Sequence, residues 1–369
     1  MKKMLTSLFV LSALALLASC EGSNQEKSSL TQSSNNIISS SESKSSSENA
    51  ISSKNSTASS SSKNNTSSIS SGYKDNELST ESGLVVKFNK TGAAIESIKW
   101  NNTQIAKDGF VVGRCANRIA NGKFSIDGTE YSVSINSSPH SLHGGQGSGF
   151  NSWRGPFATK DWTKVDQTAS SIKFSIESAD GENGYPGKMN MTVEYTLSQA
   201  GELAIQYTAT TTKDTLCNPT NHLYMNLNGS NAARNYNNIK LQVEADKYTP
   251  LSNQIPTGAI SLVEGTKFDY RTETSFKGNE DYDDNYVLNG TGYRKVATMS
   301  STSTSIKVEV FTDRPGLQLY KAGSGDICLE SQMFPDMINH PEFAEYGTTI
   351  LRANETFSSK TAYTFTKIA

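Results

Sequence analysis

The sequence predicts an all-β fold built as one large sandwich, and three observations carry that prediction. Short runs alternate apolar and polar residues, an Asp-Gly pair joins two such runs, and no segment sustains an apolar stripe at the helical period.

The alternating runs start with LVVKF at Leu84 and AIESIKW at Ala94. They continue with IKFSIE at Ile172, MNMTVEYTL at Met189 and LAIQYTAT at Leu203, and return as IKLQVE at Ile239, IKVEVFT at Ile306 and TAYTFTK at Thr361. Successive strand side chains point to opposite faces, so each run has one face to bury, and each is bounded by Gly, Asn, Ser or Asp. In KFSIDGTEYSVSI, Lys123 to Ile135, Asp127-Gly128 sits between two such runs as a tight hairpin turn. The pattern runs on without a second linker or a propeller-type repeat, which makes a single sandwich more economical than two domains.

The front of the chain has another character. MKKMLTSLFVLSALALLASC gives a basic start at Lys2 and Lys3, an apolar run from Met4 to Leu17 and small residues leading into Cys20. It reads as a secretory signal peptide, and its end resembles the bacterial lipobox, whose cysteine is lipidated. Acyl chains on Cys20 are expected to hold the mature protein to a membrane of the bacterial cell envelope, outside the cytoplasm. Residues 21–72 are dominated by Ser, Asn and Lys and cannot bury enough apolar surface to order themselves. They are expected to form a flexible tether with an end-to-end distance of about 40 Å. The expected organisation is a signal over 1–20, a tether over 21–72 and a sandwich domain over 73–369.

A net charge of -2 offers no basic surface for nucleic acid. Cys115, Cys217 and Cys328 form no CxxC spacing, so neither a disulfide framework nor a zinc site is read from them. Buried thiols packing as small hydrophobes are expected, with one disulfide left open.

Four segments concentrate residues capable of chemistry. GRCANRIANGKF places Arg114, Asn117 and Arg118 ahead of the hairpin, where arginines are ordinarily solvated. SPHSLHGGQGSGFNSWRG sets His143 before Gly144 and Gly145, glycines that let a backbone approach a ligand, while His140 reads as a surface residue. In CNPTNHLYMNLNG, His222, Tyr224 and Asn226 share one face opposite Leu223, Met225 and Leu227, and a polar face of that kind suits a pocket. In DICLESQMFPDMINHPEF, Glu330 follows Cys328 and Leu329 closely enough to be drawn inside, where a carboxylate must be paired or used. A glutamate and a histidine suffice for proton transfer. The absence of HxH or HxxxH spacing argues against a metal, and no cofactor is expected.

Taken in order, these segments resemble the aldose 1-epimerase (galactose mutarotase) family from about Leu84 to the C-terminus. GRCANRI resembles its G-R-x-A-N-R-I, SLHGGQGSGFNSW its S-L-H-G-G followed by G-F and tryptophan, and PTNHLYMNL its T-N-H-x-Y-F-N-L. YDDNYVL resembles Y-D-H-N-F-V-L, PGLQLY resembles P-G-x-Q-x-Y, and CLESQMFPDMINHPEF resembles the closing L-E-x-Q-x-F-P-D with N-H-P-E-F. The resemblance implies a large antiparallel β-sandwich with an aldose across an open cleft. It casts Glu330 as general base and His222 as general acid, with His143 a second active-site histidine and Asn117, Arg118, Asp283 and Gln318 as partners of sugar hydroxyls. Asp284 stands where the family has histidine, and Met225 where it has an aromatic residue. The chemistry implied is anomer interconversion through ring opening, which wants Glu330 ionised and His222 protonated. Two rivals stand beside it: a surface lectin on the same fold, which needs no acid and base pair, and a glycoside hydrolase, for which Asp283 and Glu330 are the evident carboxylates.

Overall fold

A computed structural model describes residues 73–229, 235–323 and 325–368 of the chain; the expected signal, Cys20 and the tether lie outside the described residues. Within those residues, two large antiparallel sheets, of ten and nine strands, carry most of the chain. The ten-stranded sheet runs in the order Glu77–Ser79, Leu84–Asn89, Ala94–Trp100, Thr103–Val112, Thr220–Met225, Asp326–Gln332, Gly316–Ala322, Asp283–Val287, Lys247–Tyr248, Ser261–Leu262. The other is centred on Ile306–Thr312, Thr356–Lys367, Glu202–Thr211 and Met189–Leu197.

The alternation seen in sequence decides which face is buried. Leu223, Met225, Leu317, Leu319, Ile327 and Leu329 from the first sheet share one apolar core with Val193, Ile205, Val308 and Phe365 from the second. Burying such side chains contributes about 1.5–3 kcal/mol each, which fixes strand register, since a one-residue slip would turn each set outward. The Asp127-Gly128 turn joins Lys123–Ile126 to Thr129–Ser132 as expected, with Asp127 at φ 49° and Gly128 at φ 82°. Cys115, Cys217 and Cys328 are buried free thiols.

What lies on the far face of the first sheet matters more for function. His222, Gln318 and Glu330 point away from the core, yet each is 2–3% exposed. Segments outside the sheets cover them: Arg118–Ile119 pairs with Ser141–Leu142, and the Asp336 N–H donates to the Arg118 carbonyl at 3.0 Å.

Arg114 anchors that cover, and it is buried at 1% exposure where a solvated side chain was expected. Its Nε donates to Ser178 Oγ, Nη1 to Pro186 O and Thr215 Oγ1, and Nη2 to Ser178 O and Ala179 O, all within 3.3 Å. A guanidinium has five donors in a fixed fork, and here each has an acceptor. Arg114→Met keeps the length and strands those acceptors in a dry interior. The expected loss is about 3 kcal/mol or more by chemical denaturation, and a loss below about 1 kcal/mol would show that Arg114 is not an anchor.

Candidate active site

Four neighbouring strands set out the site. Thr220–Met225, Asp326–Gln332, Gly316–Ala322 and Asp283–Val287 lie side by side, bringing His222, Glu330, Gln318 and Asp283 onto one face. Gln318 lies opposite Glu330, and Asp283 opposite Tyr320. The strands bearing His222 and Glu330 share little ladder, so side chains brace them. Thr220 Oγ1 donates to Ser331 O at 2.8 Å, and Asn218 Oδ1 accepts from the Met333 N–H at 2.9 Å. The result is a contact of 3.5 Å between His222 Nε2 and Glu330 Oε1.

A hydrogen-bonded chain runs beside this pair. Arg118 Nη1 meets Asp283 Oδ2 at 3.3 Å, Gln318 Nε2 donates to Asp283 Oδ1 at 2.8 Å, and Gln332 Nε2 donates to Gln318 Oε1 at 3.2 Å. Asn117, at φ 59°, turns the backbone so that its own Oδ1 accepts from the Arg118 N–H at 2.9 Å. The Asn117 N–H donates to His143 Nδ1 at 3.2 Å, which fixes the tautomer of a neutral His143 with its hydrogen on Nε2. Burial holds His143 neutral by pushing its pKa well below the usual 6.5, and nearby His222 and Arg118 push the same way.

Of the two glycines after His143, Gly145 approaches side chains, where a Cβ would fall 2.3 Å from Ser134 Oγ, whereas Gly144 approaches backbone. A Cβ on Gly144 would lie 2.1 Å from Gly113 O, and one on Gly155 would lie 1.9 Å from His143 O. Gly144 and Gly155 let backbone pack on backbone around His143. His140 is also not at the surface: it is 7% exposed, and its Nδ1 accepts from the Asn121 N–H at 3.2 Å. The turn from Ser137 to His140 folds back on itself and tucks the ring under.

Aromatic rings hold the His222 imidazole. Phe110 stacks on it at 5.1 Å and Tyr224 at 4.8 Å, while His143 and Tyr320 meet it edge-on at 5.6 and 5.7 Å. This dry setting pushes both groups in the direction opposite to the ionised Glu330 and protonated His222 expected from sequence. Burial pushes the Glu330 carboxyl well above its ordinary 4.5, with Asp283 pushing the same way and Arg118 opposing. Burial likewise lowers His222 from 6.5 to about 4. Burial thus favours the uncharged form of each partner. Proximity in sequence motifs suggested mutual stabilisation of charge; desolvation of both groups outweighs it.

The seven residues cast in catalytic and sugar-binding roles, namely Asn117, Arg118, His143, His222, Asp283, Gln318 and Glu330, thus meet in one place. Gln332 and Tyr320 join them, and each was within reach of strand periodicity, two residues beyond Glu330 and Gln318. Phe110 carried no local signal, because its place opposite His222 comes from pairing with a distant strand. Among the described residues, no group of three or more His, Cys, Asp or Glu side chains is arranged to hold a metal ion.

The buried carboxyl has a stability consequence whose sign is fixed. A raised folded-state pKa stabilises the protein below the unfolded value, and that contribution is lost as pH rises. Glu330→Gln cannot ionise and escapes the loss. Its melting temperature is expected to match the wild type near pH 4 and to exceed it by about 2 °C or more at pH 7, the shift roughly 1 kcal/mol gives in a domain of this size. A gap that stayed constant or closed with rising pH would contradict the raised pKa.

Comparison with known proteins agrees with this geometry. The family model described as Aldose 1-epimerase matches residues 74–364. Galactose mutarotase of Rattus norvegicus is 37% identical over 281 residues, covering 70% of this chain and 78% of that protein. Aldose 1-epimerase of Escherichia coli (strain K12) is 33% identical over 290 residues, covering 71% and 81%. Among solved structures, an aldose epimerase homologue from C. elegans superimposes with a TM-score of 0.70 at 25% identity, over 79% of this chain and 98% of that one. On the match over residues 74–364, and on relatives above 30% identity, the chain belongs to the aldose 1-epimerase family.

Proposed function

We propose that this protein interconverts the α and β anomers of free hexoses such as glucose and galactose. The observation that carries the reading is the buried carboxyl of Glu330 at 3.5 Å from the buried imidazole of His222, beside a row of polar groups suited to hydroxyls. Sugar binding needs no such pair. Glu330 Oε2 has no hydrogen-bond partner of its own, and the anomeric hydroxyl would supply one.

The chemistry follows from one proton. Moving it from Glu330 to His222 converts the neutral pair to carboxylate and imidazolium without changing the total, and hydrogen bonds from the bound sugar favour that arrangement. The Glu330 carboxylate takes the proton from the C1 hydroxyl, O1 becomes a carbonyl oxygen, and the C1–O5 bond breaks. His222 gives its proton to O5. Rotation about C1–C2 presents the other face of the aldehyde, and ring closure runs the same steps with the roles exchanged. Arg118, Asp283 and Gln318 would hold the C2 and C3 hydroxyls, with Asn117 and His143 completing the wall. Each positioned acid or base typically contributes about 10²–10⁴ in rate.

Polarimetry of freshly dissolved α-D-glucose and α-D-galactose, read above the spontaneous rate, tests this. Glu330→Gln and His222→Asn are each expected to lose at least about 10² in kcat with little change in sugar binding. Retention of full activity by Glu330→Gln would remove it as the base. Binding of sugar by wild type with no gain over the buffer rate would make the protein a lectin.

We also propose that Cys20 is lipidated and that residues 21–72 tether the domain to a membrane outside the cytoplasm. The support is the basic, apolar and small-residue order that ends at Cys20 and the Ser-rich stretch after it. Cys20→Ser is expected to abolish incorporation of labelled fatty acid and to release the protein or leave its precursor uncleaved. Unchanged partitioning with membranes, with no label on the parent, would refute the anchor.

A further inference from the structure

The segment HGGQGSGFNSWRG, from His143 to Gly155, reaches the His222 ring from both of its ends. At one end His143 meets the imidazole edge-on at 5.6 Å. At the other, Trp153 and Arg154 lie against Phe110, which stands opposite His222 on the paired strand Thr103–Val112 and stacks on it at 5.1 Å with the planes 19° apart. The Arg154 guanidinium lies over the Phe110 ring, 4.7 Å from its centre, and over the Trp153 ring at 5.4 Å. With Tyr224 against His222 at 4.8 Å, one stack runs through guanidinium, phenyl, imidazole and phenol. Phe110 is 1% exposed, so it touches His222 and not a sugar.

Asp108 fixes the guanidinium with a two-pronged bond, at 2.8 and 2.6 Å. A bulge brings it there. Phe110 pairs with His222 and Lys107 with Tyr224, so Asp108 and Gly109 together face the single residue Leu223, and Asp108 turns at φ 56°. Bulges beside active sites re-aim side chains in this way. A planar cation clasped by a carboxylate and laid on a ring has one orientation, whereas an ammonium supplies the charge without the plane. Resting on the activity proposed above, we infer that Arg154 is a positioning residue for the acid: through Phe110 it holds the plane of the His222 imidazole, and so the direction in which Nε2 offers its proton to O5. The Arg154–Asp108 pair also places charge near the ring. Burial is the main cause that lowers His222 to about 4; Arg154 pushes the same way, while Asp283 and Asp108 oppose. Glu330, Tyr320, Tyr224 and His143 are the other titratable groups against the ring, and Arg118 acts on His143 and Glu330.

Glucose mutarotation followed against pH in the wild type, Arg154→Lys, Arg154→Met and Phe110→Leu tests this. Arg154→Lys keeps the cation and loses the planar fork. It is expected to lose about 5- to 50-fold in kcat with KM within about twofold of the wild type, since a small misplacement of a reacting group costs rate and not contacts to the sugar. Phe110→Leu should show the same split; if it does not fold, Arg154→Lys, which alters a side chain 20% exposed, decides alone. In Arg154→Met the acid limb of kcat/KM should also move to higher pH by a few tenths of a unit, because a cation is gone and Asp108 remains, while in Arg154→Lys it stays in place. Full kcat in Arg154→Lys, a KM that rises as far as kcat falls, or an unmoved acid limb in Arg154→Met overturns the positioning role while leaving the hexose activity standing. Failure of the wild type to accelerate glucose mutarotation overturns the activity and the positioning role together.

Discussion

The burial of one carboxyl beside one imidazole governs the rest of this molecule. Glu330 sits on a central strand at 2% exposure and His222 on its neighbour at 3%, and neither group keeps its ordinary pKa there. A dry interior disfavours charge on either partner, and with it the carboxylate–imidazolium state that does acid and base chemistry. That state is set by what binds. A sugar that hydrogen-bonds the carboxylate and offers its ring oxygen to the imidazole supplies the missing stabilisation at the moment it is needed, whereas water in an open site would supply it at all times.

Such a pair demands a rigid surround. The two sheets share a core on one side of the strand Asp326–Gln332, and the cover anchored by Arg114 closes the other. The brace from Thr220 to Ser331 sets the spacing of the two strands, and the rings of Phe110 and Tyr224 hold the imidazole plane. Holding a carboxyl in this setting opposes folding above its unfolded pKa, a strain that the large apolar core offsets. The polar chain from Arg118 through Asp283 and Gln318 to Gln332 pairs within itself, and so adds recognition without unpaired charge.

Much of this was legible in the sequence, for physical reasons that also mark where legibility stopped. Strands of five residues or more can show their period of two, and the alternation placed His222 and Tyr224 side by side correctly, while Asn226 falls just past the strand's end at Met225. Strands such as Lys247–Tyr248 and Ser261–Leu262 are two residues long and cannot display a period. The motifs named the site residues, but the depth of burial arises from loops that fold over them, and no local pattern reports it. For that reason the direction of the Glu330 and His222 pKa shifts, the anchoring of Arg114 and the burial of His140 all differ from the expectation. Gly144 beside His143 illustrates the same limit: sequence signals a close approach, and only the fold says that the approaching group is the Gly113 backbone.

The most direct test of a one-proton pair is the pH dependence of kcat/KM for hexose mutarotation, read above the buffer rate. A bell with a broad neutral top is expected. Its acid limb lies near pH 4, where His222 takes a second proton onto the pair, and its alkaline limb marks the loss of the single proton from a carboxyl raised far above 4.5. An acid limb at the ordinary histidine value near 6.5, or a rate that climbs steadily with pH, would show instead a charged, solvated pair.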